Sequence, residues 1–133
     1  MCGIVAYKGH KNCHPILLNG LKRLEYRGYD SAGIACINSN DKLVVTKRKG
    51  KVSELKSALS NSEIYNLGIA HTRWATHGKP NQLNAHPHLD QSKKIALVHN
   101  GIIENYDPIK KFLLSKNIKF KSETDTEVLV QLI

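Results

Sequence analysis

No stretch of these 133 residues is apolar for long enough to cross a bilayer; the longest runs, such as Ile95-Ala96-Leu97-Val98, are strand-sized. The opening, Met1 to Lys8, has neither the basic start nor the long apolar core of a secretory signal. A cytoplasmic protein with no membrane partner is the expectation. Cysteine is scarce as well. Cys2, Cys13 and Cys36 are odd in number and show no C-x-x-C spacing, which argues against a disulfide framework and a zinc knuckle. Cys36, in an apolar strand, and Cys13 are expected to be small buried hydrophobes. Aromatic residues make up only 6%, and none interleaves with the cations that give the net charge of +9. Those cations are scattered through Lys47-Arg48-Lys49, Lys93-Lys94, Lys110-Lys111 and single lysines beside apolar segments. They read as solvated faces, so no nucleic-acid partner is expected. Repeats, linkers and low-complexity tracts are also missing. What remains, 41% hydrophobic and 23% charged, is the composition of one globular domain.

The pattern along the chain alternates short strands with helices. Residues 3–7 read as a strand, and Leu17, Leu18, Leu21 and Leu24 recur at helical spacing over Pro15–Tyr26. Residues 32–37 and 43–48 flank Asn38-Ser39-Asn40-Asp41 and predict a hairpin. Val52, Leu55 and Leu59 mark a short helix, and Leu67–His71 a further strand. Residues 73–92 carry glycine, proline, asparagine and histidine without periodicity, which predicts a long ordered loop. Ile95–His99 reads as a strand ending in Asn100-Gly101, for which turn chemistry alone suggests a hairpin. Asp107-Pro108 predicts an N-cap and first helical position, with Ile109, Phe112 and Leu113 inward. Thr124 and Glu127 form a capping-box pattern before a last helix with Val128, Leu129 and Leu132, which carries no stop signal.

Cys2 carries the chemistry. Removal of Met1 would place a thiol and a free α-amine on one residue. The reference pKa values are about 8.5 for the thiol and about 7.7–8.0 for the amine, so the terminus supplies a base poised near neutrality. Nucleophile and proton acceptor then need no separate triad. Gly3 is expected to leave room for a substrate beside the nucleophile.

Cys2-Gly3-Ile4-Val5 resembles the opening of the class II glutamine amidotransferases, which are N-terminal-nucleophile hydrolases. Five further blocks follow in family order: Arg23 to Gly33, His71 to Gly78, Asn84 to His88, His99 to Asn105, and Ser122 to Glu127. Within the family they resemble the branch that aminates fructose 6-phosphate. Phosphoribosyl-pyrophosphate amidotransferases, asparagine synthetases and glutamate synthases share the Cys-Gly start and the Asn-Gly pair. Their versions of Tyr26-Arg27-Gly28-Tyr29-Asp30 and Arg73-Trp74-Ala75-Thr76-His77 look different.

The resemblance implies a role for each site residue. Cys2 would be the nucleophile, with Asn100 and Gly101 as the oxyanion hole. Arg73, a planar fork suited to a carboxylate, would hold the glutamine α-carboxylate with help from Thr76 and His77. Asp125 would pair with the α-ammonium, and Trp74 would belong to the loop that covers glutamine. Arg27 would lie beside the terminal amine, and Gly28 would keep that approach open. No cofactor is implied. His71, His77, His86, His88 and His99 tempt a metal reading, but no acid or cysteine stands at ligand spacing, and hydrogen-bonded structural histidines are expected instead.

The implied fold is α+β: a four-layer αββα sandwich with two antiparallel sheets, here the first half only. Residues 2–133 would form a partial type-2 amidotransferase domain, with the downstream sugar isomerase domains absent. The implied partners are L-glutamine and, through ammonia, those isomerase domains acting on fructose 6-phosphate; the full enzyme would be a homo-oligomer. Another ammonia acceptor and a non-enzymatic remnant are the alternatives.

Overall fold

The computed structural model describes residues 2–60, 62–75 and 78–133. Strand β1 (Gly3–Lys8) leads into helix α1 (Cys13–Leu24) and one 3-10 turn (Glu25–Arg27). Strands β2 (Ser31–Ile37) and β3 (Leu43–Lys49) form the expected hairpin. Asn38 closes its turn by accepting from the backbone of Asn40 and Lys42. Helix α2 (Val52–Ala58) and strand β4 (Leu67–Arg73) follow. The four strands pair antiparallel in the order β1-β4-β2-β3, so β4 and β2 are central.

Side chains alternate across a strand, so each strand has two destinies. Ala32, Ile34 and Cys36 of β2 and Ala70 of β4 face the helices and pack with Cys13, Leu17 and Leu21 of α1 and Val52 and Leu55 of α2. Burying each of these leucines is worth about 1.5–3 kcal/mol. Cys13 and Cys36 are both buried and unbridged, with their sulfurs 3.2 Å apart, as small hydrophobes should be. Burial raises both thiol pKa values.

The opposite face of β2 and β4 meets a second, much smaller sheet. Strands β5 (His88–Leu89) and β6 (Ala96–Leu97) pair His88 with Leu97 and Leu89 with Ala96. Helix α4 (Asp125–Leu132) packs on that pair, and α3 (Tyr106–Ser115) packs on α4. The layers therefore run helix, sheet, sheet, helix, and the fold is α+β. Because the second sheet is short, Ile4 on β1 stays exposed.

Several boundaries differ from expectation for identifiable reasons. The loop expected over 73–92 begins one residue later and contains β5. The strand expected over 95–99 shrinks to two residues because Asp90 captures the Lys94 and Ile95 N–H groups, and the Asp90 N–H bonds the Ile95 carbonyl. Both α1 and α3 begin two residues before the proline expected to open them or stand first. Pro15 and Pro108 occupy the third helical position, where the missing N–H is still one that no helical carbonyl would have accepted. Asn105, not Asp107, stands at the N-cap of α3; Asp107 pairs instead with Lys111 at 2.8 Å. Phe112 is exposed while Leu113 is buried, so the inward face of α3 is narrower than expected. On α4, Val128 and Val130 are buried and Leu132 is exposed.

The two sheets approach closely where Gly33 of β2 faces the backbone of His86. A Cβ at Gly33 would overlap the His86 carbonyl oxygen, a backbone atom that has nowhere to go. Gly33→Ala is therefore expected to cost about 1–3 kcal/mol of stability, the range for overpacking. Urea denaturation measures it; an unchanged midpoint would contradict the close stacking of the layers.

Candidate active site

Strand β4 builds the site through its alternation. Thr72 points to the helix side and its Oγ1 accepts the Gly3 N–H at 3.2 Å, tying down the start of β1. His71 and Arg73 point to the other side, between the sheets. Where β4 ends, the chain passes Cys2: the Trp74 N–H donates to Cys2 Sγ at 3.2 Å, and the thiol lies 3.5 Å from the Trp74 carbonyl. Asp30 holds the same corner, taking the Ala75 N–H on its carboxylate and donating its own N–H to the Arg73 carbonyl at 3.1 Å.

A small recess of about 30 Å³ beside Cys2 is lined by Arg73, Trp74, His86, His99, Gly101, Thr124, Asp125 and Thr126. The expected residues Cys2, Arg73, Trp74, Gly101 and Asp125 thus meet at one place from four separate segments. Asn100 joins them: its Nδ2 donates to the Cys2 carbonyl at 3.1 Å, and its Oδ1 lies 2.8 Å from His71 Nε2. Asn100-Gly101 is not a hairpin turn, since the β5–β6 turn is made by residues 90–95. Gly101 adopts φ +132°, a conformation that favours glycine.

Arg73 is buried, and its guanidinium donates to the carbonyls of Lys79 at 3.0 Å and Gly78 at 3.2 Å. Burial lowers its pKa, while Asp30, Cys2 and Asp125 act in the opposite direction. It both faces the recess and gathers the loop after β4. Buried Asn84 completes that loop by donating to the Lys79 carbonyl and accepting the Glu123 N–H at 2.8 Å. Asp125 opens α4 with one carboxylate oxygen accepting the Ile103 N–H at 2.6 Å. Thr124 caps that helix through the Glu127 N–H, as the capping-box pattern implied, but the Glu127 carboxylate reaches past the cap to the N–H groups of Lys121 and Ser122. Trp74 is half exposed, with its ring edge-on to Tyr29 at 6.0 Å.

Gly3 and Gly28 both sit where a side chain would not fit. A Cβ on Gly3 would press on Leu24 and Thr72, so its small size lets α1 close on β1. A Cβ on Gly28 would come within 2.9 Å of the Arg73–Trp74 peptide bond, the one on which Cys2 Sγ rests. Arg27 ends the 3-10 turn just before it. Thr76 and His77 lie outside the described residues.

Sequence reading underrated the histidines. His71 and His86 stack at 4.1 Å with 15° between ring planes, His86 meets His88 edge-on at 4.7 Å, and His88 Nε2 lies 2.9 Å from Thr124 Oγ1. Burial is the main cause that lowers all three pKa values, His71 to about 4 and His88 to about 2, with His86 lowered further still. His86 departs from the expected hydrogen-bonded histidine, because its Nδ1 has no partner among the described residues. Among the described residues no group of three or more His, Cys, Asp or Glu could hold a metal ion.

A thiol, an asparagine amide, an arginine and an acid are thereby gathered around one recess. The chain belongs to the glutamine amidotransferase domain family, whose model matches residues 55–133. It is 62% identical over 134 residues to the glutamine–fructose-6-phosphate aminotransferase (isomerizing) of Bacteroides thetaiotaomicron and 56% over 137 residues to that of Chlorobaculum tepidum. Each alignment takes in 100% of this chain and 22% of the relative, so the chain spans about a fifth of their length. Among solved structures it resembles the glutamine phosphoribosylpyrophosphate amidotransferase of B. subtilis, in complex with ADP and GMP. The TM-score is 0.82 at 30% identity, over 99% of this chain and 29% of that one. A structure described as the allosteric regulatory enzyme of purine biosynthesis gives 0.83 at 31%, with the same coverage.

The histidine stack makes stability sensitive to acid. The folded state keeps these imidazoles neutral, whereas the unfolded chain protonates them near pH 6.5. Stability is thus full above about pH 7 and declines as pH falls from about 6.5 toward 4, by about 1.4 kcal/mol per pH unit for each histidine. The urea midpoint should drop between pH 7.5 and 5, and His86→Leu should flatten the slope by about one proton. A midpoint independent of pH across that interval would contradict the neutral stack.

Proposed function

We propose that this chain carries the glutaminase half-reaction of a fructose 6-phosphate aminotransferase, with Cys2 as nucleophile. The observation that carries the reading is the convergence on Cys2 Sγ: a backbone N–H on the sulfur, the Asn100 amide at the Cys2 carbonyl, and Arg73 and Asp125 lining one recess with it.

In this reading the α-amine freed by loss of Met1 takes the thiol proton, directly or through one water, and Cys2 Sγ attacks the side-chain carbonyl of glutamine. The oxygen gains a negative charge and accepts hydrogen bonds donated by the Asn100 amide Nδ2 and the Gly101 N–H. Each such donor is worth about 2.7–4 kcal/mol of transition-state stabilisation. The α-ammonium returns its proton to the departing nitrogen, ammonia leaves, and a Cys2 thioester remains. Water then attacks the thioester by the same base and hole, releasing glutamate and restoring the thiol. Arg73, with Thr76 and His77, would hold the substrate carboxylate, Asp125 its ammonium, and Trp74 would cover it. Glutamine fits this requirement because its two charged ends match one cation and one anion.

The acceptor, fructose 6-phosphate, would be handled by isomerase domains of a cytoplasmic, homo-oligomeric enzyme yielding glucosamine 6-phosphate. The relatives at 62% and 56% identity support that reading. Residues 2–133 would then be a partial type-2 domain. The exposed Ile4, Ile102, Phe112 and Leu132 and the two-residue strands of the second sheet support that reading.

Blocking the terminal amine tests the mechanism. A variant of the complete polypeptide carrying a few residues before Cys2 should still bind glutamine yet release glutamate at least about a hundredfold more slowly, the lower range of general-base contributions. Normal turnover would show that the amine is not the base. Cys2→Ala should abolish glutamate release while Cys36→Ala, if folded, should retain it.

A further inference from the structure

Asn100 can serve an oxyanion only when its nitrogen, not its oxygen, faces Cys2, yet the two ends of a carboxamide are almost the same size and shape. Something must choose between them. The Cys2 carbonyl does so from one side, by accepting from Nδ2 at 3.1 Å. From the other side, the only side chain bonded to Oδ1 among the described residues is His71, through Nε2 at 2.8 Å.

We propose that His71 is a positioning residue for the chemistry at Cys2: its Nε2–H holds the Asn100 amide in the one orientation that presents Nδ2 to the developing oxyanion. This rests on the reading of Asn100 as an oxyanion donor. Nothing in the sequence blocks assigned His71 that role.

The surroundings of His71 suit a fixed donor. Its ring is fully buried on central strand β4, opposite Ile4 of β1 and Gly33 of β2. His86 stacks on it at 4.1 Å, and the His86 carbonyl is pressed against Gly33, so the ring has a wall that cannot withdraw. Burial keeps the imidazole neutral, and a neutral imidazole has one N–H. A distance of 2.8 Å to a carbonyl-type oxygen requires that proton on Nε2. His71 Nδ1, correspondingly, finds no hydrogen-bond partner among the described residues. With the opposite tautomer, two lone pairs would face each other and Oδ1 would be expelled. An amide that flipped in response would set its oxygen against the Cys2 carbonyl and leave no donor for the oxyanion. His71 contacts the end of Asn100 remote from Cys2, so it acts on the amide and not on glutamine.

The test is a double-mutant cycle on glutamate release by the complete polypeptide with Met1 removed. Loss of an oxyanion donor lowers kcat by about 10²–10³, so Asn100→Ala should fall in that range. His71→Leu should lower kcat by about 10- to 100-fold, a part of that effect, and leave the glutamine KM within about twofold. His71→Gln, which keeps an N–H donor, should recover most of the loss. The double variant should be no slower than Asn100→Ala alone. Multiplying losses, a raised KM with kcat intact, or a full rate in His71→Leu would each overturn the proposal. A wild-type rate in Asn100→Ala would instead remove the oxyanion reading on which it rests. Should His71→Leu fail to fold, the ¹⁵N shifts of the His71 ring in the unaltered protein decide the matter. A protonated Nε2 at pH 7 is required, and the reverse tautomer overturns the inference.

Discussion

Three imidazoles pressed between two sheets can be kept there only if they stay uncharged, and the architecture of the site follows from that constraint. A buried imidazolium without a counter-charge would cost several kcal/mol, and no carboxylate is bonded to His71, His86 or His88 among the described residues. The layer can therefore be thin. Its thinness brings His86 against Gly33, burial makes each ring an oriented dipole instead of a charge, and the stack runs from Asn100 at one end to the Thr124 cap of α4 at the other. Asn100 bonds the Cys2 carbonyl, and the residue after Thr124 is Asp125. The oxyanion side and the ammonium side of the proposed site are thus joined by packed rings, not by loops.

Strand β4 converts this layer into a site through a period of two. Thr72 looks toward the helices and fastens β1; His71 and Arg73 look toward the second sheet, where the recess forms. A one-residue slip of β4 would exchange these sets and place the arginine in the apolar core. The register is secured from both sides, by β1 and by β2, so His71 and Arg73 stand on a strand that is held against slipping.

Much of this was legible in the sequence and some was not, for physical reasons. The helical spacing of Leu17 and Leu21 reports burial on one face, and their core position agrees with it. Thr124 and Glu127 announce a helix start through a local hydrogen bond three residues long. The prolines were misleading because first and third helical positions tolerate a missing N–H equally well. Strand β5 was obscured because two residues leave almost no periodicity, and β6 was expected too long because Asp90 binds backbone that a ladder would otherwise have used. His71 and Asn100 are 29 residues apart, so no local pattern could pair them. The proposed role of Cys2 was legible because the residues around it match a family motif, whereas Asp30, which shapes the corner beside it, acts only through tertiary contact. Thr76 and His77, expected beside Arg73, lie outside the described residues.

Cys2, the proposed nucleophile, sits at the outer end of an edge strand. β1 has a neighbour on one side only, and its first residue is held by a threonine hydroxyl at the point where chain ends unzip most readily. Fraying of β1 would carry Cys2 from its docked place, with its sulfur on the Trp74 N–H, into solvent. A rate that requires the docked form is scaled by the fraction of time spent docked. Catalytic rate and the closing of the first few rungs of a ladder become one measurable quantity.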